Sequence, residues 1–185
     1  MKAFDRWLQD QRIARAGACI RPGARVLDIG CADGLLFRRL QSRIQGGIGI
    51  DPDVRQAVTT GRYQLIPGRF PDDLPETAPF DAITMLAVLE HMPDAAHPRV
   101  AQRCAALLKP GGRLVITVPS PRVDRILELL KALRVSEPMS LEEHHHFDVR
   151  GVPELFRPLR LLTATTFELG LNHLFVFERP GPPAS

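Results

Sequence analysis

The sequence predicts an α/β fold in which a doubly wound, mostly parallel sheet is covered by helices on both faces. Short apolar runs, of the kind that form buried parallel strands, alternate along the chain with segments of helical spacing. Near the end, residues 161–169 and 173–178 alternate apolar and polar side chains on either side of Gly170-Leu171-Asn172. This alternation predicts that the sheet finishes in an antiparallel hairpin.

The individual elements follow from side-chain periodicity and from the glycines and prolines between them. The predicted strands before the hairpin span residues 26–29, 48–50, 63–66, 82–86 and 113–118. The predicted helices span residues 3–18, 35–43, 54–60, 98–108, 124–133 and 152–156. The helix over 98–108 has a clear end, because Pro110-Gly111-Gly112 follows it.

Length and composition predict one globular domain, which we place at residues 1–179 with a disordered tail at 180–185. The chain has 185 residues, of which 44% are hydrophobic and 24% charged. No apolar run approaches the ~20 residues that span a bilayer, and no signal-peptide core is present near the N-terminus. The three scattered cysteines, Cys19, Cys31 and Cys104, indicate free thiols in a reducing compartment. We therefore expect a cytoplasmic protein.

The modest positive charge of +3 leaves two interpretations open. Arginines concentrate in the first 43 residues, where they form either a solvated face or a contact with nucleic acid or an anionic membrane. The chain has one Trp and one Tyr, so few rings are available to stack on unpaired bases. This favours the solvated face and disfavours nucleic acid as a partner.

A glycine-rich turn and a later acid predict a site for an adenosine-containing ligand. The apolar run at residues 26–29 ends in Gly30-Cys31-Ala32-Asp33-Gly34, which lets the backbone approach a ligand closely. Asp51 ends the next apolar run, 17 residues after Gly34. Folds of this kind place a ribose-binding carboxylate about 20 residues after the turn. The alternative for Asp51 is a structural role, in an Asp-Pro turn that caps the next helix.

The charge of Asp28 distinguishes between two such ligands. A dinucleotide would present its pyrophosphate to the turn, where the carboxylate of Asp28 would repel it. S-adenosylmethionine carries an ammonium and a sulfonium, which that carboxylate would attract. The charge of the turn therefore favours S-adenosylmethionine over NAD.

Four motifs follow one another in order over roughly residues 20–120. The first two read VLDIGCADG (residues 26–34) and IGIDPD (residues 48–53). The other two read FDAITMLAVLEHMPD (residues 80–94) and LLKPGGRLVITVPS (residues 107–120). Together they resemble the motifs of class I S-adenosylmethionine-dependent methyltransferases, in particular the small stand-alone methyltransferase-domain subgroup. The resemblance implies a Rossmann-like sheet of seven strands whose last strand lies beside the fifth. It also implies an N-terminal helix (residues 1–20) over the cofactor and a substrate lid at residues 120–158.

The resemblance also implies which residues hold the cofactor, S-adenosyl-L-methionine. Asp51 would bind the ribose hydroxyls, Asp28 would orient the methionine amino group, and Ala32 would need a negative φ to be tolerated in the turn. Arg69 stands where many relatives carry an adenine-binding Asp, a role that Asp72 or a backbone carbonyl would then assume. The predicted cofactor-binding residues are Asp28, Gly30, Cys31, Ala32, Gly34, Asp51, Pro52, Arg69, Phe70, Leu86 and Ala87. For Phe70, core packing is an equal alternative to contact with the adenine.

Three histidines are candidates for the base that deprotonates an acceptor hydroxyl: His91, His145 and His146. Anchoring of a loop is the alternative for His91. For the SLEEHHHFD run (residues 140–148), the alternatives are metal ligation and a polar loop. Adjacent residues cannot all face one ion, and Ala87 stands where quinone O-methyltransferases carry a further Glu, so no metal site is expected.

We therefore expect a methyltransferase that acts on a small-molecule acceptor by in-line displacement, as a monomer or homodimer. The acceptor atom stays open among oxygen, nitrogen and carbon. The alternatives are a peptide, protein or RNA acceptor, or a catalytically silent subunit that binds S-adenosylmethionine and regulates a partner.

Overall fold

The computed structural model describes residues 3–120 and 147–181, which form one eight-stranded sheet with helices on both faces. The strands are β1 (Ala24–Ile29), β2 (Ile44–Asp51), β3 (Val58–Thr60), β4 (Tyr63–Pro67), β5 (Phe80–Leu86), β6 (Leu108–Pro119), β7 (Arg160–Phe167) and β8 (Asn172–Glu178). The α-helices are α1 (Ala3–Cys19), α2 (Leu35–Leu40), α3 (His97–Leu107) and α4 (Val152–Leu155). Short 3₁₀ turns lie at Gln41–Arg43, Leu89–His91, Asp94–Ala96 and Val149–Gly151.

The sheet has the predicted doubly wound topology. Its strand order is β3-β4-β2-β1-β5-β6-β8-β7, and β4, β2, β1, β5 and β6 are parallel. Strand β8 pairs antiparallel with both β6 and β7, so the terminal hairpin and the place of the last strand are confirmed. The chain leaves β1 toward β2 on one side and returns to β5 on the other. This reversal puts a topological switch point, where α/β sheets bind ligands, at the carboxyl end of β1.

Two linked predictions were wrong: the sheet has eight strands and not seven, and residues 54–60 do not form a helix. Val58–Thr60 forms the eighth strand and pairs antiparallel with β4. All three of its residues are β-branched, which favours extended backbone over helix. Gly61, at a φ of 53°, then turns the chain directly into β4.

Several predictions lie outside the described residues. These are the helix over 124–133, the histidines 144–146, most of the predicted lid, and residues 182–185 of the predicted tail. Within the described residues, no helix combines the length and the apolar character needed to cross a bilayer.

Apolar side chains on both faces of β1 create two cores. Val26 and Leu27 are both fully buried, but they point to opposite faces because side chains alternate along a strand. Val26 packs in a cluster with Ile13 of α1 and Phe37 of α2. Leu27 belongs to the larger cluster, which includes Val100 of α3. The central strands are therefore rigid supports for the turns at their carboxyl ends.

Strand β2 approaches β1 closely because it carries glycines where other strands carry side chains. A Cβ atom at Gly47 would lie 1.8 Å from the carbonyl oxygen of Val26. A Cβ atom at Gly49 would lie 2.7 Å from the Cβ atom of Cys31. Both separations are well below van der Waals contact, so the register between β1 and β2 requires these glycines.

We predict that Gly47→Ala destabilises the protein by about 2 kcal/mol or more, because a backbone atom of β1 must move to accept the methyl group. Urea unfolding measures the effect. The control is Gly151→Ala, where the backbone has a φ of −76° and nothing lies within 4 Å of the added Cβ atom. The control should change stability by less than about 1 kcal/mol. Equal effects of the two substitutions would contradict the close approach of the strands.

Candidate functional site

A cavity of about 530 Å³ lies at the carboxyl ends of β1, β2 and β5, where the topology places a ligand site. Helix α1 contributes one wall through Gln9, Arg12 and Ile13. Nine of the predicted site residues line the cavity: Asp28, Gly30, Cys31, Ala32, Asp51, Pro52, Leu86, Ala87 and His91. The sequence pattern therefore brings together residues from three strands that meet only in the folded sheet.

The turn after β1 is held open by backbone conformation and by hydrogen bonds to β2. Gly30 has a φ of 74°, and a Cβ atom there would lie 2.2 Å from a methyl carbon of Val88. The amides of Gly30 and Cys31 both donate to the carbonyl oxygen of Ile50, at 2.9 and 3.4 Å. The turn is therefore packed against β2 and against the turn after β5, and it presents its backbone to the cavity.

Ala32 adopts a φ of 45°, so the prediction of a negative φ was wrong. The left-handed region costs a residue with a Cβ atom about 1–2 kcal/mol. The amide of Ala32 donates to Oδ2 of Asp51 at 2.8 Å. This charge-assisted hydrogen bond offsets the cost, and it exists only because the strands bring the two turns together.

Asp51 is a buried carboxylate with capacity to spare. One oxygen accepts from the amide of Ala32, and the other accepts from the amide of Asp53 at 2.8 Å. The second bond forms the Asp-Pro turn of the alternative interpretation, but no helix follows for it to cap, because the next element is β3. Each carboxylate oxygen can accept a second hydrogen bond, so two hydroxyl groups of a ligand can be bound while the turn stays intact.

Asp28 is a carboxyl group whose neutral and ionised forms are close in free energy near pH 7. It is buried at the wall of the cavity, and its Oδ1 accepts from the hydroxyl of Thr84 at 2.6 Å. Burial raises the pKa of Asp28 to about 7, although the Thr84 hydrogen bond lowers it and the charge of Asp51 raises it further. A cation placed in the cavity would stabilise the ionised form, which burial disfavours.

Three predicted cofactor-binding residues do not line this cavity. Gly34 has a φ of 79° and begins α2, where a Cβ atom would lie 3.0 Å from Leu65, so it serves packing. Arg69 is exposed, and its amide donates to Oδ2 of Asp73 at 2.7 Å. Phe70 is buried in the larger core, which is the packing alternative.

The loop after β4 explains the positions of Arg69 and Phe70. The amide of Asp73 donates back to the carbonyl oxygen of Arg69 at 3.0 Å, so the loop closes on itself and turns Phe70 inward. Asp72, the other candidate for the adenine acceptor, does not line this cavity either. It forms an exposed ion pair with Arg99 and lines a separate surface depression.

Arg12 is the functional candidate that the sequence reasoning missed. Arg12 lines the cavity and so adds a positively charged guanidinium to it. Its Nε donates a hydrogen bond to Oδ1 of Asn172 at 3.0 Å. The signal lay in its spacing from Gln9, since residues three apart on a helix share a face. The N-terminal arginines were considered only as a group, either solvated or facing a macromolecule.

The turn after β5 forms the remaining wall, and it carries a histidine and a buried acid. His91 is exposed, lines the cavity and ends the 3₁₀ turn Leu89–His91. The Nε2 atom of the buried His97 lies 3.1 Å from the carbonyl oxygen of Leu89 and thereby anchors this turn. Glu90 is buried, and among the residues that the structure describes neither of its carboxylate oxygens has a hydrogen-bond partner. Burial raises the pKa of Glu90 to about 7, although the positive charge of Arg12 lowers it.

The other predicted catalytic histidines, His145 and His146, lie outside the described residues. Within residues 3–120 and 147–181, no three His, Cys, Asp or Glu side chains are grouped so that they could hold a metal ion.

The chain belongs to a family of methyltransferase domains, whose model matches residues 2–159. The resemblance to class I S-adenosylmethionine-dependent methyltransferases is thereby confirmed. A protein of Xylella fastidiosa named ubiquinone biosynthesis O-methyltransferase is 39% identical over 107 residues, which are 51% of this chain and 42% of that one. A protein of the same name from Xanthomonas campestris is 32% identical over 153 residues, which are 75% of this chain and 62% of that one. The chain thus aligns with less than two thirds of each of these relatives.

Solved structures agree on the fold. The N-methyltransferase NodS of Bradyrhizobium japonicum, in complex with S-adenosyl-L-homocysteine, superposes with a TM-score of 0.67 over 97% of this chain and 89% of its own, at 16% identity. A SAM-dependent methyltransferase of Methanosarcina mazei superposes with a TM-score of 0.64 over 87% of this chain and 94% of its own, at 18% identity. At these identities the likeness concerns the fold alone.

We predict that Glu90 makes the protein less stable as the pH rises. Its carboxyl titrates at about 7 when folded and near 4.5 when unfolded, so the folded state keeps a proton that the unfolded chain loses. Between pH 5 and pH 8, Glu90→Gln should therefore lose about 2 kcal/mol less stability than the parent protein. Urea unfolding at the two pH values measures this difference.

The matched control is Glu154→Gln, which removes an exposed carboxylate that pairs with Arg157. Its stability should follow the pH dependence of the parent protein. If Glu90→Gln also ran parallel to the parent, Glu90 would not be the buried acid that the structure indicates.

Proposed function

We propose that this chain transfers a methyl group from S-adenosylmethionine to a small-molecule acceptor by in-line displacement. One observation carries the proposal. A single cavity holds two carboxylates, Asp28 and Asp51, and the guanidinium of Arg12 at the switch point of a methyltransferase fold. Residues 1–179 would form the methyltransferase domain.

The charges of the cavity match the groups of the cofactor. The spare acceptor positions of Asp51 suit the two ribose hydroxyls, and the carboxylate of Asp28 suits the ammonium of the methionine part. Arg12 suits the carboxylate of that part, since a guanidinium is the preferred partner of a carboxylate. A dinucleotide would instead bring a pyrophosphate to a turn flanked by two acids. The cavity therefore favours a zwitterionic ligand over NAD.

The reaction needs no acid to protonate the leaving group. S-adenosylmethionine supplies a methyl group on a cationic sulfur, and a neutral thioether leaves when the acceptor attacks. The chain's residues position the two reactants and exclude water, with Leu86 and Ala87 as the apolar floor at the end of β5. His91, at the same cavity, would take the proton of an acceptor hydroxyl.

An oxygen acceptor agrees with the names of the relatives, which are O-methyltransferases, and with a histidine at the cavity. A nitrogen or carbon acceptor would use the same cofactor site and would need His91 less. Transfer can therefore be tested first on hydroxylated aromatic compounds and then on amines.

We predict that S-adenosylhomocysteine raises the thermal unfolding temperature and that NAD does not. At about 100 times its dissociation constant, a ligand adds roughly 2.7 kcal/mol of stability. For a domain of this size that corresponds to about 5–10 °C. Asp51→Asn should lose most of this shift, because an amide cannot accept hydrogen bonds at both positions.

The control is Asp33→Asn, which removes an exposed acid of the same turn that pairs with Arg38 and does not line the cavity. It should keep the full shift. Transfer itself is measured with methyl-labelled S-adenosylmethionine and catechol, phenol and amine acceptors. Absence of binding would overturn the proposal. Binding without transfer to any small acceptor would support the regulatory subunit or the macromolecular acceptor instead.

We predict that S-adenosylhomocysteine binds about tenfold more tightly at pH 8 than at pH 6. The pKa of Asp28 is raised to about 7, so the carboxyl is mostly neutral at pH 6 and must ionise to pair with the ammonium of the ligand. Isothermal titration calorimetry measures both affinities. Asp28→Asn should bind weakly and independently of pH, whereas Glu90→Gln should keep the dependence. A pH-independent parent protein would contradict the role of Asp28.

A further inference from the structure

We propose that Asn172 is a positioning residue, which orients the guanidinium of Arg12 for the amino-acid end of the cofactor. The inference rests on the proposed function, since it concerns how the same cavity recognises its ligand. It assigns part of that recognition to the terminal hairpin, which the sequence motifs of the cofactor site do not include.

Asn172 is a fully buried polar residue between two charged groups. It is the first residue of β8 and is paired across the sheet with Pro119 of β6 and Phe167 of β7. Its Oδ1 accepts from Nε of Arg12 at 3.0 Å, and its Nδ2 donates to Oε2 of Glu168 at 2.5 Å. Buried amides need such partners, because an unsatisfied polar group in the interior is costly.

The two partners leave the amide of Asn172 one orientation. A guanidinium can only donate hydrogen bonds, and an ionised carboxylate can only accept them. If the amide were turned around, its NH₂ group would face the donor of Arg12 and its oxygen would face Glu168. Both hydrogen bonds would be lost, so Glu168 fixes the side of Asn172 that faces Arg12.

This contact determines more than the position of one nitrogen atom. An arginine side chain has many rotamers, and holding it in one costs conformational entropy on binding. A hydrogen bond at Nε defines the plane of the guanidinium before the ligand arrives. Helix α1 itself packs on the sheet through apolar residues such as Ala16 against Val115 and Leu174, contacts that set the helix but not the side-chain rotamer.

The hydrogen-bonded chain therefore runs from the hairpin turn, through Asn172, to a residue of the cavity wall. Glu168 lies in that turn with a φ of 53°, and burial raises the pKa of its carboxyl, while Asn172 and the charges of Arg12 and Arg15 lower it. The network is local in space although Arg12 and Asn172 are 160 positions apart.

The test compares two ligands that differ in the amino-acid part. S-adenosylhomocysteine carries the carboxylate that Arg12 would bind, and 5′-methylthioadenosine lacks it. Calorimetry on the full chain should show that Asn172→Ala binds S-adenosylhomocysteine about tenfold more weakly and 5′-methylthioadenosine with unchanged affinity. In an Arg12→Ala background, Asn172→Ala should cause no further loss, because the two residues act in one chain of contacts.

The matched control is Arg15→Ala, which removes an arginine from the same helix whose guanidinium lies 5.8 Å above the ring of Phe167. It should bind both ligands as the parent protein does. If Asn172→Ala does not fold, Glu168→Ala serves in its place and should weaken S-adenosylhomocysteine selectively by about threefold, with Glu168→Gln restoring the affinity.

An equal loss for both ligands would show that Asn172 only supports the fold, and no loss would show that Arg12 needs no such support. Either result overturns the inference. In both cases the proposed function stands if the parent protein binds S-adenosylhomocysteine and Asp51→Asn does not. Failure of the parent protein to bind S-adenosylhomocysteine would instead refute the proposed function.

Discussion

The hydrogen bonds of the Asp51 carboxylate join the turn after β1 to the turn after β2, and the shape of the cavity depends on them. One oxygen supports Ala32 in a backbone conformation that a residue with a Cβ atom seldom adopts, and the other oxygen holds Asp53. The glycines of β2 make this possible, because they let β1 and β2 approach until the turns meet. The close packing of β1 against β2 is thus also what determines the geometry of the cavity.

Buried carboxyl groups at the site lower the free energy of unfolding. Asp28 and Glu90 are carboxyl groups buried at or beside the cavity, and burial raises the pKa of each to about 7. Burial of a carboxylate without a full set of partners opposes folding, so both groups lower the stability of the folded protein. In the proposed function, the ammonium of the cofactor supplies the missing partner of Asp28. The charge of Arg12 moderates the cost at Glu90.

The first and last parts of the described chain complete a site that the central motifs begin. Helix α1 lies over the carboxyl ends of the strands, and the β7–β8 hairpin holds it through Asn172 and through the apolar cluster around Ala16. The methyltransferase motifs lie between these two segments. In the proposed function, Asp51 of the central sheet would bind the nucleoside part of the ligand, whereas Asp28 of the sheet and Arg12 of α1 would together bind its amino-acid part.

The sequence by itself determined the doubly wound sheet, the terminal hairpin and most of the cavity lining, because buried strands and tight turns leave local patterns of apolar residues, glycines and acids. Asp28, Gly30 and Asp51 could be named from such patterns. Only the tertiary structure decided the left-handed conformation of Ala32, the inward turn of Phe70 and the meeting of Arg12 with Asn172. Each depends on a partner that is distant in sequence, and local spacing carries no information about it.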